Sequence, residues 1–233
     1  MILNPLLVLA LLVQSSTLVT YSQTYSILIR GAVAGTEVVT ENIDGQGNTI
    51  SSSEHEIFIT DGLDTKRMAF TATMVLAKGS YAPLEYKFQY TSGDQRDRCD
   101  VKVNDGEITR ILNRAGRTSE IRVPAKPGFV ILDFSVYHQY DWIVRKYDFR
   151  KGGKQSFSNF IPLIGSEIPL NLTLLPDSNL KLGKEEIPVK SFRIEFVGLW
   201  TGTLSTDKNN RLVRLAIPAQ DLEVLRKDLL EKQ

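Results

Sequence analysis

LEYKFQY, Leu84 to Tyr90, alternates without a break: Leu84, Tyr86, Phe88 and Tyr90 fall on one side, Glu85, Lys87 and Gln89 on the other. Side chains along a strand point to opposite faces in turn, so this pattern describes a strand with one face buried and one face wet. The same period recurs in RMAFTATMVLA, where Met68, Phe70, Ala72, Met74 and Leu76 share a face, and in SFRIEF, where Phe192, Ile194 and Phe196 do. Half-wet strands belong to antiparallel sheets, because a parallel sheet is covered on both faces. Between the strands stand turn signals: Asp44-Gly45, Asp61-Gly62, Asn104-Asp105-Gly106 and the run Asp207 to Asn210. Asn104 to Gly106, flanked by CDVKV and EITRIL, has the chemistry of a tight hairpin, and Asp207 to Asn210 joins WTGTLST to RLVRLAI. Gly31 and Gly35 in RGAVAGTE suit a hairpin turn or a bulge, since glycine admits positive φ. The chain therefore reads as a β-meander.

One segment departs from this period. In Leu132 to Phe149, the residues Leu132, Val136, Tyr140, Ile143 and Tyr147 recur at intervals of three or four, and Lys151-Gly152-Gly153 follows as a stop. This spacing predicts an amphipathic helix over about 131–148 that packs on the sheet, with His138, Asp141, Arg145 and Lys146 towards water. Leu175 to Pro188, punctuated by Pro176, Gly183 and Pro188, reads as a surface loop. The expected architecture is mainly β, of the α+β type: one curved antiparallel sheet or half-barrel carrying a single helix.

The N-terminus carries a different message. Leu6 to Val13 is an unbroken apolar run, too short for the roughly 20 residues a spanning helix needs. It matches the apolar stretch of a secretory signal peptide, and Thr20 and Ser22 are small enough to flank a cut before Gln23. Residues 1–22 are thus expected to be a signal peptide and 23–233 a single β-rich domain, exported to the periplasm or secreted. No transmembrane segment is expected in the mature form.

Composition agrees with an exported globular body. Of 233 residues 42% are hydrophobic, and 28 Lys and Arg against 27 Asp and Glu leave a net charge of +1. That balance excludes the basic footprint of a nucleic-acid-binding protein. Cys99 is the single cysteine, so no internal disulfide forms and the core must supply the stability. Cys99 reads as a strand position, not a nucleophile.

The order of these elements is familiar. An opening hairpin YSILIRGAVAGTEVV (25–39) is followed by mid-chain strands and then WIVRKYDFRKGGKQSFSNFIP (142–162). The chain closes on VKSFRIEFVGLWTGTLSTDKNNRLVRLAIPAQDLEVLRKDL (189–229). It resembles exported bacterial proteins described as domains of unknown function, in which a signal peptide precedes a curved antiparallel sheet. Such proteins look like the half-barrels of periplasmic lipoprotein carriers, whose concave face accepts acyl chains. The resemblance implies no catalytic residues.

Catalytic patterns are missing as well. The chain has no Gly-x-Ser-x-Gly, phosphate-binding loop or His-Glu-x-x-His, and its two histidines, His55 and His138, lie far apart in sequence. Alternation puts His55 on the face opposite Glu54 and Glu56, so those three cannot converge, and both histidines read as solvated surface. No enzyme, cofactor or metal is expected. What remains is aromatic: Phe70, Tyr86, Phe88, Tyr90, Tyr140, Trp142, Phe192 and Phe196 could line an apolar cleft between sheet and helix for a lipid or other hydrophobic ligand. Arg145 and Lys146 would then meet an anionic headgroup at its mouth. The alternative is an envelope assembly or scaffold factor that works by protein–protein contact.

Overall fold

The structure is a computed structural model that describes residues 19–61, 64–182 and 185–230. The first eight strands are β1 (Val19–Ile29), β2 (Ala32–Ile43), β3 (Thr49–Asp61), β4 (Asp64–Leu76), β5 (Pro83–Ser92), β6 (Gln95–Asn104), β7 (Glu107–Arg114) and β8 (Arg117–Pro124). After them come β9 (Val130–Ile131), a 3-10 turn at Tyr137–Gln139 and helix α1 (Tyr140–Lys146). The chain then returns to strands: β10 (Lys154–Ile161), β11 (Ser166–Leu174), β12 (Ser178–Leu182), β13 (Glu185–Phe196), β14 (Trp200–Thr206), β15 (Leu212–Ile217) and β16 (Leu222–Arg226). A last helical turn, α2 (Lys227–Leu230), follows.

The strands form one large curved sheet that does not close. Its order is β8-β7-β6-β5-β4-β3-β2-β1-β16-β15-β14-β13-β11-β10-β9, with β12 paired separately to β13. Every pairing is antiparallel except that of the two-residue β9 with β10. Tight turns set this meander. Arg30-Gly31, Asp105-Gly106 and Ala115-Gly116 all have positive φ, the conformation of two-residue hairpins whose twist matches that of the flanking strands.

Alternation sets which residues face inwards. Ala72, Phe88, Cys99 and Leu112 are cross-strand partners in a row across β4 to β7, and all four are buried. Their neighbours Lys87 and Gln89 lie exposed on the outer face. A second, smaller apolar cluster forms from Val189, Val213, Leu225 and Leu229.

The concave side is filled by the chain's own segment Phe129 to Tyr147. Leu132, Val136, Tyr140, Ile143 and Val144 have no exposed surface, and Trp142 and Tyr147 very little. The expected helix over 131–148 is therefore shorter than its periodicity implied, since α1 covers seven residues. Upstream, Val130 and Ile131 pair with β10, the Leu132 amide donates to Asn159 Oδ1 (2.8 Å), and the Asp133 amide donates to Gln139 Oε1 (2.7 Å). Pairing with β10 holds Val130 and Ile131 in extended backbone, which a helix starting there cannot share. Nor does the helix keep a wet polar face, because His138, Gln139 and Asp141 are all buried. The stretch 175–188 also differs from its reading as a loop. Ser178 to Leu182 forms β12 and pairs with the first half of β13, and Leu180 and Ile187 pack on the smaller apolar cluster.

Residues 1–18 lie outside those described, and with them most of the expected signal peptide. Strand β1 nevertheless begins at Val19, four residues before the expected cut. The Thr20 hydroxyl donates to the Glu41 carbonyl (3.1 Å), and the Tyr21 ring lies under the Arg211 guanidinium, 3.7 Å from ring centroid to Cζ.

Candidate functional site

Three buried polar clusters tie the inserted segment to the sheet. Each is built the same way: a strand supplies a charged or polar group at an inward position, and the segment brings its partner.

The first joins Glu37, His55 and His138. On β2, Glu37 shares its inward parity with Val39 and Glu41; on β3, His55 shares its own with Ser51, Ser53 and Ile57. Gly35 lets β2 and β3 approach closely just before this pair. Beside it Ala34 is bulged out of the β1 ladder, and a Cβ at Gly35 would strike the Glu56 carbonyl and the Ile57 backbone. Glu37 and His55 are direct cross-strand partners, and the row continues through Phe70, Tyr90 and Asp97. His138 arrives from 101 residues away, its Nδ1 2.6 Å from Glu37 Oε1 and its backbone amide donating to the same oxygen (3.2 Å). His55 Nε2 lies 3.2 Å from Glu37 Oε1 and 2.9 Å from Ser53 Oγ, with its ring stacked on Phe70 (4.1 Å between centroids). Burial pushes the Glu37 carboxyl up, but the two imidazoles and their hydrogen bonds outweigh it and hold it at about 2. The two histidines read as solvated are thus both buried. They were misplaced because β3 lays its wet residues, Glu54 and Glu56, on the other face, and because the helical segment lies inside the sheet.

The second cluster centres on Asp133. Its Oδ2 accepts from the Tyr86 hydroxyl (2.9 Å), and burial raises its carboxyl to about 6 against the downward pull of that bond. Burial likewise pushes the nearby Cys99 thiol to about 12, which leaves it protonated and unreactive at neutral pH. The third cluster is an ion-paired one. Arg211 grips both oxygens of Glu41, one at 2.7 Å, and reaches Asp141 at 3.3 Å, while Asp141 Oδ1 accepts from the Leu212 amide (2.7 Å). Burial pushes the Asp141 carboxyl up to about 6, and Arg211 offsets only part of the rise.

Asp133 makes stability depend on pH. Its folded value of about 6 lies above the ordinary 3.8, so the folded protein holds a proton that the unfolded chain has released. The stabilisation is full below about pH 4 and is lost as pH rises through 6, at a cost on the order of 3 kcal/mol. Urea unfolding between pH 4 and 7 is expected to show this slope together with that of Asp141, whose carboxyl is raised likewise, and Asp133→Asn is expected to remove its own share and leave that of Asp141. An unchanged slope in the variant would place the titration elsewhere.

The aromatic positions expected to line a cleft are accounted for individually. Phe70, Tyr86, Phe88, Tyr140, Trp142, Phe192 and Phe196 are all buried and Tyr90 is half-buried. They pack on one another and on the inserted segment: Phe70 on Phe88 (5.6 Å between centroids), Phe192 on Tyr147 (5.3 Å) and Phe196 on Trp200 (4.5 Å). Arg145 lies over the Trp142 ring, 4.5 Å from its centroid, and Lys146 Nζ donates to the Phe129 carbonyl (3.1 Å). Both line a surface hollow at the end of α1, together with Tyr81, Gly128 and Phe157. Sequence reasoning missed Glu37, Glu41, Asp133 and Arg211. For Glu37 and Glu41 a signal existed, a carboxylate at the apolar parity of its own strand.

Together these features define a class: β half-barrels whose concave face is filled by an inserted helical segment and keyed by buried polar clusters. A comparison with a solved structure agrees with the fold. The chain is similar to a β-barrel-like protein of the domain of unknown function DUF1849 from Brucella abortus. The TM-score is 0.61 at 10% identity, over 90% of this chain and 95% of that one. It also aligns with a DUF1089 family protein from Pseudomonas aeruginosa, with a TM-score of 0.48 at 11% identity, over 79% and 90% of the two chains. No protein-family profile and no curated protein matches the sequence. The likeness to the Brucella abortus protein is one of fold, and it bears out the expectation of a β-rich, half-barrel-like sheet. Among the described residues, no helix is long and apolar enough to cross a membrane.

Proposed function

We propose that this is an exported, non-catalytic β protein that acts by contact with another protein of the cell envelope, in assembly or as a scaffold. One observation carries the reading: Phe129 to Tyr147 occupies the concave face, so the aromatic surface that suits an acyl chain is spent on internal packing. What the fold leaves open is the edge of β8. Among the described residues that strand pairs with β7 alone, and Arg117 to Glu120 are exposed. An unpaired edge is a template for an added strand, and charges such as Arg117, Glu120 and Arg122 discourage self-association while leaving the backbone free for a chosen partner.

The lipid-carrier reading makes the opposite expectations, so one set of measurements separates the two. Phe88→Ala is expected to cost the full 3–5 kcal/mol of a cavity in a packed core, and the wild type to show no saturable binding of a fluorescent acyl probe. A photo-crosslinker at Thr118 on β8 is expected to trap a single envelope protein, while one at Lys87 on the outer face of β5 traps none. Stoichiometric lipid in native mass spectra, or a Phe88→Ala cost of about half that value with saturable probe binding, would restore the carrier.

Export rests on the apolar run Leu6 to Val13, and β1 argues for a cut upstream of Ser22. Cleavage between Thr17 and Leu18 puts Ser15 and Thr17 at the small-residue positions and keeps the whole of β1. Intact-mass analysis of the exported protein is expected to find a chain beginning at Leu18. A chain beginning at Gln23 would mean that Thr20 and Tyr21 are dispensable to the fold.

A further inference from the structure

We propose that Glu37, His55 and His138 bind one divalent ion of the zinc class, and that this ion fastens the inserted segment to β2 and β3. The inference does not depend on the reading of β8 as a docking edge.

The donor atoms are already assembled. One ligand atom from each of the three residues lies within 4.8 Å of the others, and all three residues are buried. In tetrahedral coordination, with bonds of about 2.0–2.1 Å, neighbouring donors stand roughly 3.3 Å apart. The separation of His55 Nε2 and Glu37 Oε1 is 3.2 Å, and that of His138 Nδ1 and the same oxygen is 2.6 Å. A bound ion therefore requires His138 to part slightly from Glu37, with the two imidazole nitrogens already within 4.8 Å of each other. Ser53 Oγ, 2.9 Å from His55 Nε2, is the neutral oxygen placed to complete the shell or to hold a water in it.

The loading of the carboxylate points the same way. Glu37 Oε1 has three nitrogens around it, the two imidazole atoms and the His138 amide, whereas Oε2 is buried with no hydrogen-bond partner. Oε2 is thus free to turn towards a cation. Charge adds a second reason. A carboxylate sealed from water requires a compensating charge beside it. A divalent ion supplies it and leaves both rings in the neutral form that ligates metals. Two imidazoles and one carboxylate suit zinc or its neighbours in the first transition row; calcium and magnesium favour shells of oxygen. Because the site is closed to solvent, the ion enters as the chain folds and acts as a structural staple.

The sequence makes the test clean. Untagged protein contains no histidine besides His55 and His138, so a signal from imidazole-bound metal can arise only here. Protein unfolded in urea and refolded with Co2+ is expected to take up one equivalent and show the strong visible bands of low-coordinate cobalt, which added Zn2+ then bleaches. His138→Gln and His55→Gln are expected to weaken Zn2+ binding by on the order of 100-fold or more. If either variant fails to refold, the wild-type stoichiometry and cobalt spectrum still decide the matter. Wild-type protein that refolds with no bound metal and no visible bands would overturn the site. So would bands that survive in the variants, or a thiolate-to-cobalt band that assigns the metal to Cys99.

Discussion

Ile143→Asp is expected to leave the protein largely unfolded at 25 °C. Ile143 lies on α1 with no exposed surface, in the middle of the segment that fills the sheet. Truncating such a side chain costs about 2–5 kcal/mol in lost contacts and cavity, and an unpaired buried charge adds several more. The sum rivals the whole stability of an ordinary domain, about 5–15 kcal/mol. Lys151→Asp, in the exposed stretch just beyond the helix, is the control and is expected to change stability by about 0.5 kcal/mol or less. Lys146 does not serve as that control, because it is half-buried and bonded to the Phe129 carbonyl. Equal urea midpoints for the Ile143 and Lys151 variants would show that the segment does not sit inside the sheet.

Arg211→Ala is expected to cost about 5 kcal/mol, because it strands two carboxylates at once. Glu41 and Asp141 are both buried, and Arg211 stands between them, gripping one and touching the other. Removing one partner of a buried ion pair typically costs about 3–5 kcal/mol, and here the two remaining negative charges also repel. Arg211→Lys is expected to recover only part of the loss, since an ammonium cannot hold Glu41 through two parallel bonds. Acid gives the decisive signature. Without the guanidinium the Asp141 carboxyl, already raised by burial, shifts further upwards, so the variant's deficit shrinks as Asp141 takes up a proton at low pH and is full once pH rises above its folded value. Urea unfolding at pH 5 and pH 8 is expected to show the larger deficit at pH 8. A deficit independent of pH would mean that lost packing of Arg211 on Tyr21, not charge, explains the cost.

The Arg211 variant probes contacts that no local pattern announces, whereas the sheet itself was legible. Phe70, Tyr86, Phe88, Phe192, Ile194 and Phe196 face inwards as alternation requires, since the side-chain period of a strand is a property of its backbone. The turns at Asp105-Gly106 and Asp207 to Asn210 were legible for a similar reason. Positive φ at Gly106, and the Asp207 carboxylate accepting the Asn209 and Arg211 amides, are satisfied within a few residues.

The helix was legible in kind but not in extent or setting. A stripe of Val136, Tyr140, Ile143 and Tyr147 looks the same whether the opposite face meets water or a second buried surface. The polar residues on that opposite face are buried because each finds a partner on a distant strand: His138 finds Glu37, and Asp141 finds Arg211 and the Leu212 amide. Sequence alone therefore determined the strongly alternating strands around Phe70, Phe88 and Ile194, their inward faces and the turns at Asp105 and Asp207, which follow from chemistry within a few neighbouring residues. It determined neither β12 nor the inward face of β3 at His55. Tertiary structure alone decided that the concave face is filled from within. It also brought Glu37, His55 and His138 to one point, because a buried charge is tolerated only where the fold delivers its partner.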